Sequence, residues 1–220
     1  MSSADRKVIV VTGASGGIGA ELARVLGGQG HAVVLAARRE AELREVAAGV
    51  APDALAVATD VTRRDEVERL RDEAIRHFGR VDAWINNAGR GITRSVMEVT
   101  DDDLDEMMSV NVKSALYGMQ AIVPHFMERG TGHLLNVSSF LGRVPLAPQR
   151  SAYNAAKAAL NALTANLRME LAASHPGVHV TLVMPGMVST EFAANARGGA
   201  VTGPPPTGPM KPQTAEEVAA

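Results

Sequence analysis

The sequence predicts a doubly wound α/β fold, a parallel β-sheet with helices packed on both faces. Three observations predict it. Short β-branched runs alternate with longer helical patterns along the chain. Each run is apolar almost throughout, as strands buried on both faces are. A glycine-rich turn joins the first run directly to the first helical pattern. A length of 220 residues suits one well-buried domain, so residues 1–220 read as a single unit.

Strands are expected at Lys7–Thr12, Ala32–Ala37, Ala54–Thr59, Val81–Asn86, Gly132–Ser138 and His179–Met184. Helices fill the gaps at Gly17–Gly28, Glu40–Val50, Arg63–Phe78, Asp101–Arg129 and Ser151–Ser174. Capping boxes are expected at Thr62-Arg63-Arg64-Asp65 and Thr100-Asp101-Asp102-Asp103. Acidic residues favour a helix N-terminus, so the triple aspartate reads as a cap and not as a metal site. His175 and His179 are separated by the helix breaker Pro176-Gly177, which removes a shared helical face and with it a metal reading. From Thr190 the texture changes: the Gly-, Pro- and Ala-rich stretch 190–212 reads as a long loop or substrate lid. Residues 213–220 read as the start of a helix cut short, which predicts a C-terminally incomplete fold.

Composition excludes several classes. The formal charge of −2 and the lack of a basic stripe give no footing for nucleic acid or an anionic membrane. The absence of cysteine rules out disulfides, thiolate metal sites and a cysteine nucleophile, and suits a reducing, cytoplasmic setting. No apolar run reaches the length of a bilayer span.

Two local patterns carry chemistry. The first is Thr12-Gly13-Ala14-Ser15-Gly16-Gly17-Ile18-Gly19, between a strand and a helix. Its glycines let the backbone turn close to a pyrophosphate, and the helix N-terminus offers free N–H groups to it. The second is Tyr153 and Lys157, four residues apart and so on one helix face. A cation about 5 Å from a phenol, in an effective dielectric of about 20, is worth roughly 3 kcal/mol toward the phenolate. Such a tyrosine would exchange a proton near neutral pH.

With Asn86-Asn87-Ala88-Gly89, Ser138-Ser139 and Pro185-Gly186 in order between and after them, these motifs closely resemble the short-chain dehydrogenase/reductases from residue 7 to about 190. The resemblance implies a Rossmann-type three-layer α/β/α fold and assigns roles by position. Gly13, Ser15, Gly16, Ile18 and Gly19 would hold the cofactor phosphates and ribose, and Asp60 with Val61 the adenine. Asn86, Asn87, Ala88 and Gly89 would line the cofactor and stabilise the central sheet. Pro185, Gly186, Val188 and Thr190 would complete the cofactor site. Tyr153 would be the general acid/base, Lys157 would lower its pKa and bind the nicotinamide ribose, and Ser139 would bind the substrate oxygen. Asn111 would help place Lys157 through water. Ser139 precedes Tyr153 by fourteen residues, one more than the common family spacing, so Arg143 to Arg150 is expected to be reshaped.

About eighteen residues after Gly19, where an NAD-type site carries an acid, the chain has Ala36-Ala37-Arg38-Arg39. Two arginines before a helix N-terminus are electrostatically misplaced unless an anion joins them. A 2′-phosphate would be that anion, so NADP(H) is expected, with Arg38 ahead of Arg39. The basic residue that family members carry inside the glycine-rich turn is absent here. Arg90-Gly91-Ile92, Leu141, Met187 and Phe192 would shape a mostly apolar pocket for a small-molecule alcohol or ketone. The expected protein is an NADP(H)-dependent oxidoreductase and a homodimer or homotetramer. The alternative is a non-catalytic NADP(H)-binding sensor or interaction protein on the same fold.

Overall fold

The computed structural model describes residues 6–50, 53–199 and 211–220. The strands β1 (Val8–Thr12), β2 (Ala32–Ala37), β3 (Ala54–Ala58), β4 (Ala83–Asn86), β5 (Gly132–Val137) and β6 (Val178–Val183) form one sheet, in the order β3-β2-β1-β4-β5-β6. Every neighbouring pair is parallel. The chain winds outward from β1 to β3, then crosses back to β4 and winds the other way. That reversal opens a crevice between the C-terminal ends of β1 and β4.

Strand periodicity sorts the core into two layers. Ile9, Val11, Val33 and Leu35 pack with Ala20 and Ala23 of α1 (Gly17–Gly28) and Leu43 and Val46 of α2 (Glu40–Ala48). Val8, Val10, Val34 and Trp84 face the other way. They meet α3 (Arg64–Phe78), α5 (Ser114–Arg129) and α6 (Ser151–Ala172). Both sides of the sheet are therefore covered, which is why the strands read as continuous apolar runs.

The expected elements are present with shifted ends. β4 begins at Ala83, although Asp82 before it still bonds both neighbours, its N–H donating to Val8 O at 2.8 Å and its carbonyl accepting from His133 N–H at 3.0 Å, while its carboxylate binds Arg80 and Arg129. The capping box expected at Thr62 does not form. The Thr62 hydroxyl donates instead to Asp60 Oδ1 at 2.7 Å, and Arg63 stands at the N-cap of α3 without a side-chain cap. The box at Thr100 does form, reciprocally with Asp103, and opens α4 (Asp101–Met108).

The single helix expected over Asp101–Arg129 is interrupted. Ser109–Lys113 forms one π-helical turn between α4 and α5. Such a turn inserts an extra residue and re-aims side chains, which places Asn111 out of a regular helical register. At the C-terminal side, Ser189 N–H donates to Gln213 O and Gln213 N–H to Met187 O, both at 2.8 Å. This seats the short α7 (Ala215–Ala219), capped by Thr214 and Glu217, against α1. The Gly203-Pro204-Pro205-Pro206 part of the expected lid lies outside the described residues.

Candidate active site

The crevice is closed at its base by side-chain bonds between β1 and β4. Thr12 Oγ1 donates to Ile85 O and accepts from Asn87 N–H at 3.0 Å and Ala88 N–H at 3.2 Å. Asn87 Nδ2 returns to Thr12 O at 2.9 Å. The glycine-rich turn fits against this join. Gly13 has φ +69°, and a Cβ there would lie 2.9 Å from Ala88 Cα. A Cβ on Gly19 would lie 2.4 Å from Gly13 O and 2.6 Å from Asn87 Nδ2. Only hydrogen fits at either place, so the backbone wraps tightly and leaves the N-terminus of α1, with Gly16, Gly17 and Ile18, at the crevice mouth. That cradle suits a dinucleotide pyrophosphate. Thr190 lies above it, its methyl 3.5 Å from where a Gly17 Cβ would be.

At the end of β2 the two arginines diverge. Arg39 folds onto the turn, with Nε 3.2 Å from Ser15 Oγ and a second nitrogen 3.2 Å from Ser15 O. It thereby brings a basic group to the turn whose own sequence carries none. Arg38 is exposed at the strand end. Asp60 is held at the end of β3, its Oδ1 accepting from Thr62 N–H and Oγ1, while Val61 packs against the core. Asn86 does only half of what its position suggested. It is buried and its amide is used within the sheet and helices, accepting from Trp84 Nε1 and donating to Asn136 Oδ1 and Ala115 O. It stabilises the sheet from beneath and does not line the crevice.

The second half of the site gathers at the ends of β5 and α6. Ser138 and Ser139 separate here: the Ser138 hydroxyl is 2.5 Å from Asn161 Oδ1 and also reaches Lys157 O, whereas the Ser139 hydroxyl accepts from Leu141 N–H on the Tyr153 side. Tyr153 is buried, and the edge of Phe192 meets its ring at 5.7 Å between centroids. Lys157 is also buried, its Nζ donating to Val137 O at 2.9 Å and standing 5.7 Å from the Tyr153 ring centroid. Asn111 pairs with the backbone of Arg90, donating to its carbonyl at 3.0 Å and accepting its N–H at 3.2 Å. Asn111 and Lys157 both flank Gly89: a Cβ there would lie 2.9 Å from Asn111 Oδ1 and 3.5 Å from Lys157 Nζ.

The electrostatics depart from the expectation of a phenol lowered by Lys157. Burial pushes the Tyr153 phenol above its ordinary range, and the opposing influences are the Ser139 hydroxyl and the Arg150 guanidinium. Burial also lowers Lys157 to about 8, so it is near its own neutralisation. The ammonium is directed to Val137 O, beneath the ring.

Pro185 O accepts from Phe140 N–H, which fixes Pro185-Gly186 beside the serine turn. Val188 bridges to Gln213, and Met187 is half exposed at the mouth. Residues that single motifs did not reveal complete the wall. Three distant segments meet by backbone pairing, with Thr93 N–H on Arg197 O, Arg197 N–H on Gly91 O and Arg94 N–H on Gln149 O. Arg197 forms ion pairs with Asp103 and Glu106, Arg94 pairs with Asp103 and Arg90 with Glu106. Asp103, expected only as a cap, is thus also the buried anchor of the 190–199 loop. The signal for Arg150 was the extra residue between Ser139 and Tyr153. Among the described residues no group of three or more His, Cys, Asp or Glu side chains could hold a metal ion.

Comparison with known proteins agrees with this geometry. The family model described as short chain dehydrogenase matches residues 7–200. An uncharacterized oxidoreductase of Staphylococcus aureus is 40% identical over 189 residues, covering 86% of this chain and 80% of that protein. An alcohol dehydrogenase from Thermococcus sibiricus, complexed with 5-hydroxy-NADP, superposes with a TM-score of 0.83 at 28% identity over 98% of this chain and 88% of that one. A 3-ketoacyl-(acyl-carrier-protein) reductase from Brucella melitensis, complexed with NADH, gives 0.85 at 28% identity over 97% and 87%. The chain belongs to the short-chain dehydrogenase family, and it is an oxidoreductase of that type.

Proposed function

We propose that this short-chain dehydrogenase interconverts a carbonyl and a secondary alcohol with NADP(H), using Tyr153 as the proton donor and acceptor. The observation that carries the reading is the burial of Tyr153 with the Lys157 ammonium 5.7 Å from its ring centroid, at the end of β5 where the buried Ser139 stands. When bound, the nicotinamide supplies or takes up the hydride. The chain's own residues handle the oxygen. Ser139 donates a hydrogen bond to the substrate oxygen and stabilises its developing charge. Tyr153 delivers its proton to that oxygen in reduction and recovers it in oxidation. A phenol kept protonated by burial is in the competent form for reduction.

Lys157 would hold the ribose hydroxyls next to the nicotinamide, with Asn111 fixing the backbone at Arg90 across Gly89. Gly13, Ser15, Gly16, Ile18 and Gly19 would take the pyrophosphate side. Asp60 and Val61 would meet the adenine. Asn87, Ala88 and Gly89 would lie along the cofactor, and Pro185, Gly186, Val188 and Thr190 would cover it. Arg38 and Arg39 would share the 2′-phosphate, which supports NADP(H) over NAD(H). Phe192, Ile92 and Leu141 would give the substrate an apolar wall, with the 190–212 loop as its lid.

The test is Tyr153→Phe, followed through NADPH absorbance with a panel of ketones and alcohols. Turnover should fall by about 10³-fold while NADPH binding, read by fluorescence, is retained. Turnover at the parental rate would sink the mechanism. Tight NADPH binding by the parental chain with no turnover across the panel would favour a cofactor-binding sensor.

A further inference from the structure

We infer that Arg150 is a positioning residue for the reaction: its guanidinium supplies the fixed positive charge on the substrate side of the Tyr153 phenol and stabilises the phenolate. The inference rests on the reading of Tyr153 as the acid/base. Arg150 stands at the N-cap of α6, three residues before Tyr153, in the segment lengthened by one residue. It is half-buried, and one nitrogen donates to Ile92 O at 3.1 Å. The same nitrogen lies 3.1 Å from where a Gly91 Cβ would be, and the Phe192 ring edge lies 2.9 Å from that point. Arg150 and Phe192 therefore converge at Gly91, whose lack of a side chain makes room for the guanidinium, and Phe192 in turn meets the Tyr153 ring.

No carboxylate pairs with Arg150 among the described residues, although the neighbouring Arg90, Arg94 and Arg197 are all paired. A half-buried guanidinium with one carbonyl partner has N–H groups free to face an anion. The other charges on the surrounding elements are otherwise committed. Lys157, on the same helix, donates to Val137 O. Asp103 and Glu106 on α4 are held by arginines. The end of β5 offers only the Ser139 hydroxyl, while Arg143 after it and Glu191 beside Phe192 are exposed. Tyr153, three residues along the same first helical turn and in ring contact with Phe192, is the ionisable group left for Arg150 to face. Burial lowers Arg150 from its usual value and the facing phenol raises it, the reciprocal of its own effect on Tyr153.

The chain has two tyrosines, so Tyr117→Phe leaves Tyr153 as the sole phenol. Its ionisation can then be followed by tyrosinate absorbance with neither cofactor nor substrate, which separates this inference from the proposed activity. In that background Arg150→Gln should move the midpoint to higher pH, and Arg150→Lys, which keeps the charge, should not. In alcohol oxidation, where the phenolate must accept the hydroxyl proton, Arg150→Gln should lower the rate about tenfold at a fixed pH below the midpoint and keep the high-pH plateau. NADPH affinity should stay as in the parent. Arg150→Met repeats the test if the glutamine variant does not fold. An unmoved midpoint in a folded, uncharged variant overturns the inference. So does an unmoved midpoint accompanied by a raised KM for carboxylate-bearing ketones alone, which would make Arg150 a substrate-anion site.

Discussion

The two halves of the crevice are built by different means. Past the C-terminal end of β1, the nucleotide end is backbone shaped by absent side chains, with Gly13 and Gly19 packed against Ala88 and Asn87. Past the C-terminal end of β5, the chemical end consists of buried side chains: Tyr153, Lys157, Ser139 and, from α4, Asp103. A backbone cradle tolerates no added atom, whereas a buried polar cluster tolerates changes of shape better than changes of charge.

The largest effect is expected where the cradle is filled. Gly19→Ala would set a methyl 2.4 Å from Gly13 O. Backbone cannot yield as a flexible side chain does, so α1 must shift and carry the phosphate site with it. Overpacking of this kind costs about 3 kcal/mol. An ångström of misplacement costs about 100-fold in a positioned site. Denaturant unfolding and NADPH titration should show both losses, and near-parental affinity would mean that the turn is softer than its contacts indicate.

At the chemical end the sensitive quantity is charge, and pH reads it. Lys157 is lowered by burial from 10.5 to about 8, so between these values the unfolded chain binds a proton that the folded one does not. Stability contributed by this group therefore rises with pH through that window. Tyr153 acts oppositely, because its raised pKa makes stability fall above its ordinary value of 10. Between pH 8 and 10 the lysine acts alone of the two, and the cofactor-free protein should gain about 2 kcal/mol. Lys157→Met should abolish that rise and lower turnover by about 100-fold. A pH-stability slope that survives the substitution would assign it to other groups.

These two ends were also unequally legible in the sequence. The cradle is written in contiguous residues, because a strand, a turn and a helix N-terminus are local, and a glycine pattern reports their spacing. The Tyr153/Lys157 pair is local too, but a spacing gives no direction. The fold aims the ammonium at Val137 O and lets burial dominate the phenol. Asn111 could be placed on a helix but not on a π turn, which depends on how α4 and α5 pack. Least legible was the wall made by residues 91–94, 149–151 and 197–199, since backbone pairing among loops leaves no periodic trace. Asp103 shows the same limit: its cap to Thr100 is a four-residue pattern, while its ion pair with Arg197 spans the domain.

A smaller effect is expected at the outer rim of the nucleotide end, where both kinds of construction meet. Arg39 rests on Ser15, and Arg38 stands exposed beside it. Arg38→Asp should weaken NADPH by about 30-fold, the scale of one charge-assisted bond plus a new repulsion, and NADH by much less. Arg39→Asp should weaken both cofactors, because it also disturbs the glycine-rich turn proposed to hold the pyrophosphate. Equal losses of NADPH and NADH in Arg38→Asp would remove that residue from the 2′-phosphate site.

The smallest effect tests whether the loop over the chemical end depends on charge or on backbone. Arg197 pairs with Asp103 and Glu106, but its own N–H and carbonyl also bond Gly91 and Thr93. Arg197→Met removes the ion pairs and leaves both backbone bonds in place. Arg94 still meets Asp103 at 2.9 Å and Arg90 still pairs with Glu106, so neither carboxylate is stranded. The loop should stay seated but loosen. KM should rise about threefold with kcat unchanged, since a partly exposed ion pair contributes little and Phe192, proposed as substrate wall, moves no proton. A large fall in kcat would show that the ion pairs hold Tyr153 in place through Phe192. The chemical end would then depend on shape as strictly as the cradle does.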